Sequence, residues 1–210
     1  MSRTGRVKPV ITSIIGAALV FISLAVVYRY GLEQPAPKPD TTNLGFEQTG
    51  GSSPNSWIYP VPFRDQQLGF LGLNSEFGGY HLAVDFNCRP GEPVRALAGG
   101  KVLVSRTDLS GYGGLNKPGG AVLILHRTSE GGWFKALYGH LDQIRVEAGD
   151  LVAPGQVLGA INQVSHLHFG IHPGESLSAY PCLGYTRSRE NPRGWVDPVE
   201  FLGSHSPEAQ

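Results

Sequence analysis

Residues 165–172 read "SHLHFGIH", and the alternation within this stretch decides how the chain is to be folded. Successive side chains on a β-strand leave opposite faces. His166, His168, Gly170 and His172 then share one face, and Leu167, Phe169 and Ile171 share the other. The apolar set can enter a core while the imidazoles stand together, with Gly170 leaving room beside them. The same parity organises "YHLAVDF" at 80–86: His81, Ala83 and Asp85 lie on one face, Leu82, Val84 and Phe86 on the other. Only the Ala83 methyl stands between that imidazole and that carboxylate. If the two strands are neighbours in one sheet, their polar faces converge.

Working outward, short apolar runs alternate with glycine and proline turns: "PVRALAGGKVLVS", "AVLILH", "WFKALYGHL" and "GQVLGAI". Few exceed the length of an ordinary strand, and no stretch after residue 30 keeps a helical period. Glycine (29) and proline (16) are abundant and only 16% of residues are charged, which suits a turn-rich β domain. The expected class is all-β, with an antiparallel sheet. "PGEPVRALAGGKVL" (90–103) and "AGDLVAPGQVLGAI" (148–161) echo each other, each with a glycine, an acid, a valine two residues on, a turn and a second strand. The echo resembles the half-motif of barrel-sandwich hybrid domains, in which two such units interleave. Glu92 and Asp150, at matching places in the repeat, read as turn formers.

Lysine and arginine balance aspartate and glutamate, 17 against 17, so nothing points to nucleic acid as a partner. The N-terminus differs from the rest. An uncharged run from Val10 to Tyr28 follows Arg3, Arg6 and Lys8, and about 20 apolar residues span a bilayer core as a helix. The preceding positive charges keep that end cytoplasmic and send the remainder outside. Ser23-Leu24-Ala25 offers a small-residue cleavage site, but hydrophobicity continues through Tyr28, which favours an uncleaved transmembrane anchor. Residues 31–56 are rich in proline, glycine and serine and read as a flexible tether. The expected organisation is an anchor (1–30), a linker (31–56), a folded domain (57–203) and a loose tail (204–210), with the domain in the cell envelope on the periplasmic side of the inner membrane. Cys88 and Cys182 fall in the exported part, where either a disulfide or two buried thiols are compatible with the sequence.

Three short motifs in order carry a resemblance: His81-x-x-x-Asp85, "YGHL" at 138–141, and His166-Leu167-His168. With "PGEPVRALAGGKV" and "GDLVAPGQVLG" between them, the chain from about residue 78 to "WVDPVEFL" (195–202) resembles the LytM/lysostaphin-type zinc endopeptidases, the M23 peptidase family. The resemblance implies one Zn²⁺ per chain held by His81, Asp85 and His168, a nitrogen and oxygen donor set of the kind zinc accepts. It implies that His166 and His140 flank the metal in acid/base and transition-state roles, which imidazoles can fill near neutral pH. It further implies hydrolysis of peptide bonds in cell-wall peptidoglycan.

The sequence departs from the pattern in two places. Ala83 stands where the family commonly has glycine, and "GAINQVSHLH" replaces a glycine- and serine-rich segment beside the substrate groove. A glycine beside His140 is also the mark of a β-bulge. "GYGGLNKPGG" (111–120) reads either as a groove wall or as a flexible hairpin, and residues 57–79 could line the groove or occlude it. His126, His172 and His205 are expected to be structural or peripheral. Trp195 and Asp197 are expected to pin the C-terminal end, and Arg187, Arg189 and Arg193 to form a solvated basic cluster. The rival function is a non-catalytic or partner-activated peptidoglycan-binding regulator of another hydrolase, a reading that would bring in a regulatory protein partner. Against it, the chain keeps the full set of five matching residues. A lipoyl- or biotinyl-type carrier is disfavoured because neither Lys101 nor Lys117 sits convincingly at a hairpin tip.

Overall fold

The computed structural model describes residues 57–62, 65–176 and 181–205. The expected anchor and linker (1–56) and residues 206–210 of the tail lie outside the described residues. Among the described residues no helix is long and apolar enough to cross a membrane.

The strands are β1 (Gln66–Leu68), β2 (Leu73–Asn74), β3 (Gly79–His81), β4 (Val84–Asn87), β5 (Pro93–Arg95), β6 (Gly100–Gly111), β7 (Gly114–Arg127), β8 (Trp133–Asp142), β9 (Leu151–Val152), β10 (Val157–Ile161), β11 (His166–Pro173) and β12 (Tyr185–Thr186). A nine-stranded sheet runs β1-β4-β11-β8-β7-β6-β9, with β10 bridging β8 and β5, and a three-stranded sheet runs β12-β3-β2. The pairings within both sheets are antiparallel.

Among the described residues a helix, α1 (Pro198–Ser204), qualifies the all-β expectation. It is too short for its period to register in the sequence, and it is started by Asp197, whose carboxylate accepts from the Val199 and Glu200 amides. The glycine-rich "GYGGLNKPGG" also exceeds expectation. It continues the ladder, so β6 and β7 form a 12- and a 14-residue hairpin turning at Gly111 and Gly114, both at positive φ.

The internal repeat is real and interleaved. In the first copy the Gly91 amide donates to Ile161 C=O and Glu92 C=O accepts from the Ile161 amide; in the second, Gly149 and Asp150 make the same pair of bonds to Val102. The short strand of each copy thus pairs with the longer strand of the other: β5 with β10, and β9 with β6. Glu92 and Asp150 are the turn formers expected, each carboxylate accepting from the amide three residues back, Arg89 and Glu147 respectively.

Alternation places the core. Leu167, Phe169 and Ile171 on β11 enter the main cluster with Val84, Phe86, Val122, Ile124 and Tyr138. Full burial of such a side chain contributes roughly 1.5–3 kcal/mol. The opposite face of the same strands carries a smaller cluster of Leu82, Tyr112, Ala121, Leu123, Leu137 and Trp195. The polar side chains of β11 share this second face.

One expectation fails here. "YHLAVDF" is not a single strand: β3 ends at His81 in the small sheet and β4 begins at Val84 in the large one. The chain steps across at Leu82, whose amide donates to Gly184 C=O at 2.9 Å. Leu82 enters the smaller cluster, Val84 and Phe86 the larger, and Ala83 is completely buried between them. Parity along the sequence therefore does not explain why His81 and Asp85 meet. Gly170 is corrected likewise: a Cβ there would lie 2.8 Å from the Trp195 ring, so its missing side chain makes room for Trp195 and not for the imidazoles.

Candidate metal centre and its groove

Three strands set the centre. β11 lies between β4 and β8, and His168 stands opposite Asp85 on one side and Gly139 on the other. Opposite residues of an antiparallel pair have Cβ atoms about 4.5–5.5 Å apart, close enough for side chains to meet. His81 arrives from the small sheet, where it pairs with Tyr185.

The donor atoms form a tight triangle. His81 Nε2 is 2.9 Å from His168 Nδ1 and 3.2 Å from Asp85 Oδ1, and His168 Nδ1 is 3.3 Å from the same oxygen. Ligands about 2.0–2.1 Å from a common tetrahedral ion lie roughly 3.3 Å apart, so the triangle has the dimensions of a zinc-sized site. All three residues are buried. Asp85 Oδ1, His168 Nε2 and the nearby His166 Nδ1 are buried without a hydrogen-bond partner. A buried polar atom left this way costs about 1–3 kcal/mol. His81 Nε2, His168 Nδ1 and Asp85 Oδ1 converge closely enough to share one cation, which would answer the partnerless carboxylate oxygen, and these residues fit one.

Electrostatics point the same way. Burial alone would raise the Asp85 carboxyl, but the imidazoles of His168 and His81 outweigh it and hold the group well below the usual carboxylate range. Burial lowers His168, keeping it in the neutral form a metal requires. Burial likewise lowers His166. His140 is pushed down to about 3, by burial first and then by His168 and His166.

His140 resolves an alternative the sequence left open, because it sits at a bulge and in the site as well. Opposite β8 the register jumps from Leu141 at Gly120 to Gly139 at Ala121, leaving His140 as the extra residue, at φ 63°. A bulge re-aims its side chain, and here the ring comes to 4.4 Å from that of His166 and 5.9 Å from that of His168, centroid to centroid. Its Nδ1–H donates to the Tyr112 carbonyl at 2.9 Å, which leaves Nε2 as the basic nitrogen.

The centre opens onto a groove of about 660 Å³. "GYGGLNKPGG" supplies one wall through Gly111, Tyr112 and Leu115, and the segment before β3 supplies another through Gln67, Asn74, Glu76 and Phe77. Residues 57–79 therefore contribute lining. Tyr112, which no motif marked, is central: its ring packs edge-on against His168 at 5.7 Å and its hydroxyl donates to Cys182 C=O at 2.9 Å. Gly139 permits this, since a Cβ there would lie 2.3 Å from the Tyr112 ring. Tyr185 was also missed. Its ring lies 5.1 Å from that of His81 and stacks on Phe77 at 4.8 Å, while its hydroxyl accepts from Asn74 Nδ2 at 3.2 Å.

The remaining candidates fall away from the centre. His172 packs against Trp195 at the periphery. His205 ends α1, stacked on Phe201. His126 is a core residue hydrogen-bonded to Gly99 and Tyr138. Trp195 and Asp197 hold the C-terminal end as expected, through Gly170 and the helix cap. Arg187, Arg189 and Arg193 are exposed and outside the groove lining. No disulfide joins Cys88, buried in the main core, to Cys182 on the groove wall, whose thiol burial pushes up to about 12.

Residues 79–179 match the sequence model of peptidase family M23. The chain is 35% identical over 104 residues to glycyl-glycine endopeptidase ALE-1 of Staphylococcus capitis, covering 47% of this chain and 25% of that protein. It is 36% identical over 104 residues to lysostaphin of Staphylococcus staphylolyticus, covering 47% of this chain and 19% of that protein. The chain thus spans a quarter or less of the length of these curated relatives. A solved structure of the antimicrobial peptidase lysostaphin from Staphylococcus simulans superposes with a TM-score of 0.50 at 24% identity, over 74% of this chain and 55% of that one, which is a likeness of fold.

Proposed function

Residues 79–179 belong to peptidase family M23, and from that premise we propose that the protein is a zinc-dependent endopeptidase acting on the peptides of cell-wall peptidoglycan. The observation that carries the reading is the buried triangle of His81, Asp85 and His168, with orphaned polar atoms beside it, at the floor of an open groove. The relative named as an endopeptidase supports the reaction class.

His81 Nε2, His168 Nδ1 and an Asp85 carboxylate oxygen would hold one Zn²⁺, which when bound supplies Lewis-acid polarisation of a peptide carbonyl and acidifies water. Asp85 stays ionised and His168 neutral, as ligation requires. His140 and His166 stand neutral on the groove side with their rings 4.4 Å apart. His140 Nε2 accepts the proton given up by the attacking water and returns it to the leaving amine. Protonated, His140 also stabilises the developing oxyanion, and His166 beside it shares that work. Tyr112, Phe77 and Tyr185 line the groove and offer flat surfaces to a peptide backbone. The N-terminal apolar run in the sequence, preceded by basic residues, supports a reading in which this activity lies in the cell envelope, outside the cytoplasmic membrane.

The test is to incubate the full-length chain, with and without zinc, with purified peptidoglycan and to identify new amino termini by mass spectrometry. Products from the zinc-loaded protein and none from His168→Ala are expected. Zinc binding with no product from the wild type would overturn the proposal in favour of a binding role.

A further inference from the structure

The segment that departs from the family pattern, "GAINQVSHLH", contains a buried amide whose polar groups are all engaged. Asn162 Nδ2–H donates to the Tyr112 carbonyl at 2.8 Å, the same oxygen that accepts His140 Nδ1–H at 2.9 Å. The Asn162 backbone amide donates to His140 C=O at 2.9 Å. Its Oδ1 accepts from the Val164 amide at 2.9 Å and its own C=O from Ser165, which shapes the turn into β11. One residue therefore grips His140 from two directions, at its backbone and at the carbonyl that orients its ring.

Such a grip answers a specific need. His140 has positive φ, a conformation unfavourable for a residue with a Cβ, and such conformations persist only where the surroundings over-determine them. The Tyr112 carbonyl has two lone pairs, and the two N–H donors occupy both, fixing the oxygen and with it the His140 tautomer. An aspartate of the same shape could not serve, because its oxygen would face the carbonyl without a proton to offer.

We infer that Asn162 is a positioning residue of this centre, holding His140 at its bulge in the Nδ1–H form so that Nε2 is presented to the groove. The inference rests on the hydrolase reading, and the test separates the two. The full-length protein with one equivalent of zinc is assayed on soluble muropeptides, with products followed by chromatography. Asn162→Asp lowers kcat on the order of 10- to 100-fold while KM changes little. In a His140→Ala background the same change adds almost nothing, because the residue acts through His140. If Asn162→Asp does not fold, Asn162→Ser, which keeps a donor, should exceed Asn162→Ala in kcat. A kcat for Asn162→Asp close to wild type, or an equal loss with and without His140, overturns the inference, as does Ser failing to exceed Ala.

Should the wild type cleave nothing, the hydrolase reading falls and ring-nitrogen NMR of the zinc-free protein decides the positioning role. His140 as a single Nδ1–H form in the wild type and as a mixture in the variant upholds it; an unchanged single form in both overturns it.

Discussion

His126 and His168 lie on β7 and β11, separated in the sheet by β8, and are almost equally buried at 0% and 2% exposure. Their surroundings differ in one respect. His126 Nδ1–H donates to Gly99 C=O at 3.0 Å, its Nε2 accepts from the Tyr138 hydroxyl at 3.1 Å, and that hydroxyl accepts from the Leu97 amide at 3.0 Å. Every polar atom of that relay is answered by the protein. His168 has no partner for Nε2, and its Nδ1 shares a close triangle with His81 Nε2 at 2.9 Å and Asp85 Oδ1 at 3.3 Å. Burial of a histidine therefore does not distinguish scaffold from chemistry. What distinguishes them is whether the protein itself completes the hydrogen bonding, and at the centre it does not.

This contrast can be broken most decisively at His168. His168→Ala should abolish stoichiometric zinc binding and slow peptide release by roughly 10³-fold or more, measured by metal analysis and product chromatography. Retained zinc and turnover would show that the orphaned atoms mean nothing. His126→Ala should do the reverse. It should cost about 3 kcal/mol of stability in urea denaturation, through lost packing and an unanswered Tyr138 hydroxyl, while turnover per folded molecule stays near wild type.

Acid sharpens the same comparison. Burial holds His126 down to about 4 in the fold, against about 6.5 for an exposed imidazole. Between these values the unfolded chain binds a proton that the folded chain refuses. The contribution of His126 is thus intact above about pH 6.5 and is lost as pH falls towards 4, by about 3 kcal/mol in all. Zinc-free His126→Ala should show a correspondingly shallower fall in stability between about pH 7 and pH 4.5 than the zinc-free wild type.

Zinc itself should stabilise only the intact centre. At a hundredfold excess over its Kd it should add about 2.7 kcal/mol, seen as a raised Tm in the wild type and as no shift in Asp85→Ala. The smallest effect is expected at the exposed basic cluster. Arg187→Ala, which touches neither group, should leave stability within about 0.5 kcal/mol and activity near wild type.

Much of the centre was legible because short motifs and strand parity are local. Alternation in 165–172 put Leu167 and Phe169 in the core and His168 on the other face, and the spacing of the motifs marked the residues the fold gathers. Tyr112, Asn162 and Tyr185 were not legible as site residues. Tyr112 meets His140 across 28 positions and Asn162 across 50, and Tyr185 reaches His81 through a separate sheet. No periodicity encodes such contacts. His140 showed its glycine neighbour, but only the register of β7 against β8 revealed that bulge and site coincide.

The sequence by itself determined a predominantly β folded domain, an internal repeat, its resemblance to peptidase family M23 and the five polar residues that the resemblance singles out. Only the tertiary structure decided how His81 reaches Asp85, since the chain crosses between two sheets at Leu82 and parity ends there. It also decided that Gly170 serves Trp195 and that one carbonyl, shared by Asn162 and His140, orients the site. The reason is physical: side-chain direction along one strand follows from backbone geometry, whereas the meeting of different strands follows from packing and hydrogen bonding summed over the whole domain.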